Sequence, residues 1–264
     1  MTTTPGGTVA DALAAQHAAL ADVLDPLTDD DWARPSWCDG WSVSDVVLHL
    51  AQTDEMALAS LEGRFAAALD AFIAGLPPGT PGANVDEGAG ALVAHERGAP
   101  AADVHARWQA GSQALQAAVA ATDPHARTPW VVGEMSVQSL TTTRLAESWI
   151  HTADILDAFG ERPGPADRLW HIARLAWRTV PYAFARAGVD APGPVVFELD
   201  APAGPWRFAP DELDERDDDT PTILRGTALD LCRVAGQRAD APSTTLTAEG
   251  PDATNLLALV RTFA

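Results

Sequence analysis

The sequence has no lysine, only two cysteines and a single tyrosine. All 17 positive side chains are therefore arginines, and they stand against 37 acids, which gives a formal net charge of −20. Nucleic-acid binding needs a basic stripe that matches the phosphate backbone, so this balance excludes such a role. A lysine-free, alanine-rich composition is also typical of a high-GC genome, and we attribute much of the acidity to codon bias and solubility.

Long uninterrupted apolar runs are missing as well. No window reaches the roughly 20 apolar residues that a membrane-spanning helix needs, and the N-terminal MTTTPGGTVADAL does not resemble a signal peptide. Cys38 and Cys232 lie far apart and form no CxxC pair, which indicates a reducing compartment. We expect a cytoplasmic protein, a monomer or homodimer, with no membrane or nucleic-acid partner.

The apolar fraction of 47% is typical of a folded protein. Helical periodicity and stop signals predict six helical segments, at 9–24, 46–75, within 76–99, 101–122, 137–159 and 165–188. The second of these is expected to be capped by Ser42 or Ser44, and a capped turn is expected at 28–32. After residue 193 short alternating runs predict strands. The predicted fold is mostly α, an up-and-down helical bundle over residues 1–190 followed by a small α+β domain over 191–264.

The fourth long helix carries the most informative chemistry. Glu147 and His151 are four residues apart, so their side chains leave the same helix face about one turn apart and can chelate one ion. His49 lies in the apolar run VVLHL and is expected to be buried, where a histidine needs a partner. A catalytic zinc site usually has three protein ligands. Taken alone, these patterns also fit a solvated helix pair and a core histidine bonded to a backbone carbonyl.

Two segments resemble a known family. GWSVSDVVLHLAQ is similar to the W-x-x-x-D-[VIL]-x-x-H-L signature of the DinB-like, maleylpyruvate-isomerase-like metal-binding family, and AESWIHTADILDAFG resembles its E-x-x-x-H-x-x-D helix. The resemblance implies a four-helix bundle in which His49, Glu147 and His151 hold a divalent metal, zinc in our interpretation. It places Asp154 as an acceptor that orients a ligand histidine or contacts substrate. The C-terminal part resembles a sterol-carrier-like α+β domain of an actinobacterial subgroup.

The resemblance also implies a reaction. Family members with a defined activity use a small thiol, mycothiol, to isomerise a small unsaturated acid or as a group to be transferred. We therefore predict a metal-dependent thiol-using isomerase or transferase acting on a small-molecule substrate, an unsaturated or electrophilic acid. A hydrolase or lyase that uses metal-activated water, and a non-catalytic protein that binds metal or a small molecule, remain alternatives because the same ligands serve them.

Three further residues bear on the site. The resemblance places Arg225 near the cleft, where its planar guanidinium would bind a carboxylate, although a surface ion pair is an equal alternative. Arg144, three residues before Glu147, is expected toward the edge of the bundle. Cys38 precedes the second long helix and would be a candidate nucleophile, but it has no histidine near it in the sequence and is expected to be a loop thiol. The remaining five histidines, including His17, are expected to be solvated or capping.

Overall fold

The computed structural model describes residues 5–75, 85–211 and 220–262. Contacts divide the chain into two compact units. One spans Leu13–Pro163 and is called the helical unit; the other comprises Met1–Ala12 and Gly164–Ala264 and is called the C-terminal unit. The predicted domain boundary at 190–191 lies further along the chain. Residues 164–190 therefore group with the sheet in this division, and the extent of independently folding domains stays a prediction.

Four long helices form the bundle of the helical unit, and three shorter helices and a β-hairpin connect them. The long helices are α1 (Val9–Leu24), α3 (Val43–Leu61), α6 (Ala101–Ala121) and α7 (Val137–Asp157). The shorter elements are α2 (Asp29–Trp32), α4 (Phe65–Gly75), α5 (Val85–Glu96), β1 (Arg127–Trp130) and β2 (Gly133–Ser136). The predicted helices at 9–24, 101–122 and 137–159 agree with these bounds, and the predicted mostly helical fold is confirmed.

Helix α3 is the centre of the unit, because it packs against α6 on one side and α7 on another. Its apolar run is almost completely buried, in keeping with the sequence, and joins a core that includes α1 and α6. Ser42 caps the helix: its hydroxyl accepts from the Asp45 backbone N–H, and the Asp45 carboxylate accepts from the Ser42 N–H. This capping box fixes the first turn, which sets the direction of the side chains that follow. Ser42, not Ser44, is thus the cap.

The long helix predicted over 46–75 is broken into α3 and α4. The break falls at Gly63, which has φ of 71°, a left-handed conformation that glycine adopts without steric cost. The periodicity of apolar residues continues across the break, so the pattern alone did not reveal it. The predicted short helix within 76–99 corresponds to α5, and residues 76–84 of that segment lie outside the described residues.

The hairpin of β1 and β2 was not predicted from the sequence. Its strands pair antiparallel from Arg127 opposite Ser136 to Trp130 opposite Gly133. Thr128 is buried, and its hydroxyl donates to the backbone carbonyl of Ser60 at 3.0 Å. The hairpin ends where Ser136 caps α7, with its side chain accepting from the Ser139 N–H. It therefore anchors the start of the helix that carries Glu147 and His151.

A four-stranded mixed sheet and four helices make up most of the C-terminal unit. The helices are α8 (Leu169–Arg178), α9 (Val180–Ala187), α10 (Ala228–Ala235) and α11 (Ala253–Leu259), and the strands are β3 (Val195–Asp200), β4 (Trp206–Phe208), β5 (Thr222–Thr227) and β6 (Thr247–Glu249). The strand order is β4-β3-β5-β6, with β3 and β5 parallel and the outer strands antiparallel. The predicted strand runs agree with these strands.

The single helix predicted over 165–188 is wrong, because α8 and α9 are separate. They meet at Thr179, and Pro181 lies in the first turn of α9. Proline has no N–H and its ring clashes with the carbonyl four residues earlier, so it is accepted in a first turn but interrupts a continuous helix. Among the residues that the structure describes, no helix combines the length and apolar character needed to cross a membrane.

Candidate metal centre

His49 enters the site from the second turn of α3. Two other aromatic rings pack against its imidazole: the Trp41 ring centroid lies 5.4 Å away and the His151 centroid 4.8 Å away. The imidazole is buried, and its Nδ1 has no hydrogen-bond partner among the residues that the structure describes. A buried polar atom without a partner raises the free energy of the folded protein. The contacts of the other nitrogen, Nε2, account for this orientation of the His49 ring.

The Nε2 atom of His49 faces the pair on α7. It lies 3.3 Å from Glu147 Oε2, and the same carboxylate oxygen lies 3.6 Å from His151 Nε2. One donor atom from each of the three residues falls within 4.8 Å of the others. The structure thus brings together the three predicted metal ligands, although 98 positions separate His49 from Glu147.

These distances suit a metal ion. Zinc bonds of about 2.0–2.1 Å to nitrogen and about 2.0–2.2 Å to oxygen place the donors of a tetrahedral site about 3.3–3.5 Å apart. The measured separations of 3.3 and 3.6 Å match that spacing. Two imidazoles and a carboxylate are also the donor set that zinc accepts while keeping a position for a further ligand. The residues present therefore fit the ion that the sequence predicted.

The charges of the three groups are coupled. Burial lowers the pKa of His49, so this imidazole is neutral, as a ligand must be. Burial acts to raise the pKa of Glu147, but hydrogen bonds from His151 and His49 outweigh it and hold that pKa well below its ordinary value. Burial alone would lower the pKa of His151. Hydrogen bonds with Asp154, Cys38 and Glu147 outweigh burial, so this pKa lies well above its ordinary value. Without an ion, the His151 cation balances the Glu147 anion.

Asp154 lies behind His151, on the side away from Glu147. Its Oδ2 is 2.8 Å from His151 Nδ1, one turn earlier on the same helix. A carboxylate that accepts from the remote nitrogen of a ligand histidine fixes its ring and tautomer. The geometry agrees with the orienting role implied by the family resemblance, because Asp154 contacts the metal cluster through His151.

Cys38 was not predicted to lie near the site. Its Sγ–H donates to Asp154 Oδ2 at 3.2 Å, and the sulfur is 3.8 Å from His151 Nδ1. The histidine missing from its sequence neighbourhood is supplied by α7, 113 positions further along the chain. No local pattern signalled this contact, because both partners of Cys38 lie more than a hundred positions away on α7.

An open cleft of about 440 Å³ lies beside this cluster. Its walls come from the loop before α3 and from Arg97, and include Ala33, Pro35, Ser36, Trp37, Cys38, Asp39, Gly40, Trp41, Ser42 and Asp45. Cys38 touches His151 and Asp154, and Trp41 packs on His49, so two wall residues contact the metal cluster directly. The volume suits a small molecule.

Arg144 is buried, contrary to the edge position predicted for it. Its side chain is 3% exposed, and its Nε donates to Oδ1 of Asp54, which is 1% exposed, at 3.1 Å. Its Nη2 donates to the Thr53 hydroxyl at 2.8 Å, and that hydroxyl donates to the backbone carbonyl of His49 at 2.8 Å. Arg144 is therefore connected to the backbone of His49 through the Thr53 hydroxyl.

The buried ion pair continues into the bundle through His17. The Gln116 amide nitrogen lies 2.9 Å from His17 Nδ1, and His17 Nε2 lies 3.6 Å from Asp54 Oδ2. Each of the four bundle helices supplies one side chain, namely His17, Asp54, Gln116 and Arg144, and we call these the inner polar cluster. Burial lowers the pKa of His17, which is neutral here. The prediction that His17 is solvated or capping is wrong, because the side chain is buried. Its neighbours in the sequence did not indicate the partners that it has on other helices.

Arg225 belongs to the C-terminal unit, and its guanidinium is engaged there. It extends from β5 opposite Glu198 of β3, with Nε donating to that carboxylate at 3.0 Å, and its Nη1 donates to Glu249 at 3.2 Å. This is the surface ion pair that the sequence left as the alternative. Its predicted role in binding substrate stays a prediction.

Comparisons with known proteins place this arrangement among the helical bundles with a small C-terminal sheet. Residues 13–156 match the family described as mycothiol maleylpyruvate isomerase N-terminal domain. Uncharacterised proteins of two Mycobacterium tuberculosis strains are 31% identical over 264 residues, covering 98% of this chain and 96% of theirs. Crystal structures of the mycothiol-dependent maleylpyruvate isomerase and a mutant of it share the fold, with a TM-score of 0.56 at 18% identity, covering 96% of this chain and 99% of theirs.

The family match covers more than half of the chain and includes every residue of the metal cluster. The chain belongs to the mycothiol maleylpyruvate isomerase family. The suspected family is thereby confirmed.

Proposed function

We propose that this protein is an enzyme that holds one divalent ion, zinc, through His49, Glu147 and His151. It uses a small thiol of the mycothiol type. The thiol either assists the isomerisation of a small unsaturated or electrophilic acid or is itself transferred onto that acid. One observation carries the proposal: three zinc-competent donor atoms from two helices converge within 4.8 Å beside an open cleft. Membership of a family named for a mycothiol-dependent isomerase supplies the thiol and the reaction class.

When bound, the zinc ion would supply a Lewis-acidic position at which a thiol is held as the reactive thiolate near neutral pH. The chain's own residues prepare that position. Burial keeps His49 neutral and Glu147 is kept anionic, so both are in the ligand form. Asp154 holds the His151 ring in place, and we propose that it is a positioning residue. Trp41, in the wall of the cleft, packs against the His49 ring.

The substrate's carboxylate needs a donor as well. Arg225 is our proposed donor, on the family resemblance. Because its guanidinium already donates to Glu198 and Glu249, a substrate carboxylate would have to exchange with one of them. Arg97 is a second cation and lines the cleft itself, where its Nε donates to Asp45 at 3.0 Å and its Nη2 to the Gly40 carbonyl at 3.1 Å.

Metal content tests the first half of the proposal. Protein purified without chelator, supplied with zinc and freed of loose ions by gel filtration should retain at least one equivalent, and His151→Ala should retain almost none, because two ligands bind weakly. His125→Ala, which alters an exposed histidine, is the matched control and should keep the wild-type metal content. Wild-type protein without metal would overturn the proposal.

Turnover tests the second half. Maleylpyruvate supplied with mycothiol should be isomerised by the zinc-loaded protein, and omission of either zinc or thiol should abolish turnover. Turnover that is independent of thiol would favour a metal-dependent hydrolase or lyase. Tight metal binding with no turnover of a panel of unsaturated acids would favour a binding protein.

A further inference from the structure

A second group of metal-competent donors lies on the far side of His151. The Cys38 sulfur, His151 Nδ1 and an Asp154 carboxylate oxygen all lie within 4.8 Å of one another. The group consists of a thiol, an imidazole and a carboxylate, which are the three side-chain types that zinc binds. It differs from the cluster already described in its donor atoms, because that cluster uses Nε2 of His151.

The spacing of these donors fits one ion. Zinc–sulfur bonds of about 2.3 Å with the shorter bonds to nitrogen and oxygen place tetrahedral donors about 3.3–3.6 Å apart. The measured separations are 3.8 Å from Cys38 to His151, 3.2 Å from Cys38 to Asp154 and 2.8 Å from His151 to Asp154. The sulfur–nitrogen separation is slightly longer than this range and the other two are shorter, so side-chain shifts of about half an ångström would complete the site.

The Cys38 loop is held in place by hydrogen bonds. The Ser36 hydroxyl accepts from the Cys38 N–H at 3.2 Å, and the Trp41 N–H donates to the Cys38 carbonyl at 2.9 Å. The Trp37 N–H donates to the backbone carbonyl of Asp154 at 3.2 Å, which ties the loop to α7. Cys38 also lines the open cleft, so an ion arriving from solvent has a route to the sulfur.

We propose that Cys38, Asp154 and Nδ1 of His151 form a second metal site, selective for thiolate-preferring divalent ions such as zinc, cadmium and cobalt. His151 then serves two ions through its two nitrogens. Binding releases the Cys38 thiol proton and the Nδ1 proton, and the ion replaces both hydrogen bonds that Asp154 Oδ2 accepts. One soft sulfur donor distinguishes this site from the cluster of His49 and Glu147, which has none.

Cobalt titration of metal-free protein tests the site directly. A thiolate bound to Co²⁺ gives a near-ultraviolet charge-transfer band that nitrogen and oxygen ligands do not give. We expect wild-type protein to bind two equivalents and to develop this band, and Cys38→Ser to bind one equivalent without the band. Cys232→Ser is the matched control, because Cys232 is fully buried in the C-terminal unit, and this variant should keep both.

Two further variants separate this site from the proposed zinc ligands. His49→Ala should lose one equivalent and keep the thiolate band, and His151→Ala should lose both. If His49→Ala and Glu147→Ala left binding unchanged, the proposed function would fail while the second site stood. A wild-type protein that binds two equivalents without a thiolate band, or a Cys38→Ser variant that retains the band, overturns the second site.

Alkylation provides a readout that leaves all three residues of the second site unsubstituted. Cadmium at the second site should slow iodoacetamide modification of Cys38 at least tenfold in wild-type protein, measured by mass spectrometry of the Cys38 peptide. The protection should persist in His49→Ala, in which the first cluster is disrupted. Equal rates with and without cadmium would also overturn the proposal.

Discussion

The two compact units distribute charge in opposite ways. In the described chain, every aspartate or arginine that is classed as buried lies in the helical unit, namely Asp45, Asp54, Arg144 and Asp154. The charged pairs of the C-terminal unit stay near solvent, as with Arg225, whose side chain is 43% exposed. Burying a charge is unfavourable unless it is paired. The helical unit therefore contains buried charges, each of which has a partner of opposite charge, and two of these pairs lie next to residues of the candidate metal centre.

The same contrast appears between Arg144 and Arg225, the two arginines for which the sequence suggested a place near the site. Arg144 donates to one buried aspartate and to Thr53, whose hydroxyl holds the backbone of His49. Arg225 donates to two carboxylates at the edge of a sheet. A buried ion pair next to a metal-ligating residue keeps that residue in position, whereas an exposed ion pair exchanges readily with solvent and solutes. The comparison suggests that Arg144 supports the site structurally and that Arg225 is free to exchange partners.

Removing the buried arginine should have the largest effect. Arg144→Met leaves the Asp54 carboxylate buried without its strong donor, and breaking such a pair costs about 3–5 kcal/mol of unfolding free energy. Urea denaturation of the metal-free protein measures the loss. Adding Asp54→Leu should restore much of it, because the unpaired charge is then gone. A loss below about 1 kcal/mol would contradict the proposed contrast between the units.

Asp154→Asn should have the next largest effect, on metal affinity. The amide retains the shape of the carboxylate but orients His151 Nδ1–H less strongly, and such outer contacts typically change metal affinity about 10–100-fold. Competition with a chelating dye measures the constant for zinc. Asp157→Asn, on the same helix one turn later, is the control and should leave the affinity unchanged. Equal affinities for both variants would remove Asp154 from the site.

Metal binding should weaken as the pH is lowered, beginning at a pH above neutrality. The pKa of His151 is raised well above 6.5, so a proton occupies the metal-free imidazole at neutral pH and competes with the ion. Zinc affinity should fall about tenfold per pH unit below that raised pKa. The pKa of His49 is lowered, so this residue adds no dependence in the same range. Chelator competition at a series of pH values measures the slope, and a flat profile between pH 6 and 8 would contradict the coupling.

The stability of metal-free protein should show the opposite dependence. A group with a raised folded pKa contributes stability that is present below its unfolded pKa of about 6.5 and is lost as pH rises through the folded value. Thermal unfolding of the metal-free protein should therefore shift to lower temperature above neutral pH. The zinc-loaded protein should not show this loss, because the ion replaces the proton.

Local sequence patterns predicted most of the helices and the pairing of Glu147 with His151, whereas the proposed set of three metal ligands needed the family resemblance. Glu147 and His151 share a helix face by spacing alone, and the apolar neighbours of His49 indicated its burial. The family resemblance supplied the contact between them. The inner polar cluster could not be predicted, because Arg144 finds Asp54 across 90 positions and nothing in either local pattern indicates the partner. Cys38 escaped prediction for the same reason, since its histidine is contributed by another helix.

The interruptions of the helices were the other limit of the sequence. Apolar periodicity continues through Gly63 and past Thr179, so both helices were predicted as continuous. The left-handed glycine and the proline at 181 determine the breaks. A single glycine or proline is tolerated often enough in helices that its effect depends on the packing around it.

Arg225→Ala should have the smallest effect on stability, about 0–1 kcal/mol, because exposed ion pairs contribute little. Its two partners, Glu198 and Glu249, are 38% and 81% exposed, so both remain hydrated once the guanidinium is gone. Urea denaturation at low and at high salt measures the difference, which should shrink as salt screens the pairs. A loss above about 2 kcal/mol would show that this unit also depends on a structural charge and would end the contrast with Arg144. Unchanged stability together with a fall in kcat/KM would instead assign Arg225 to substrate binding, as the family resemblance implies, because only a role in contact with the acid would separate turnover from folding.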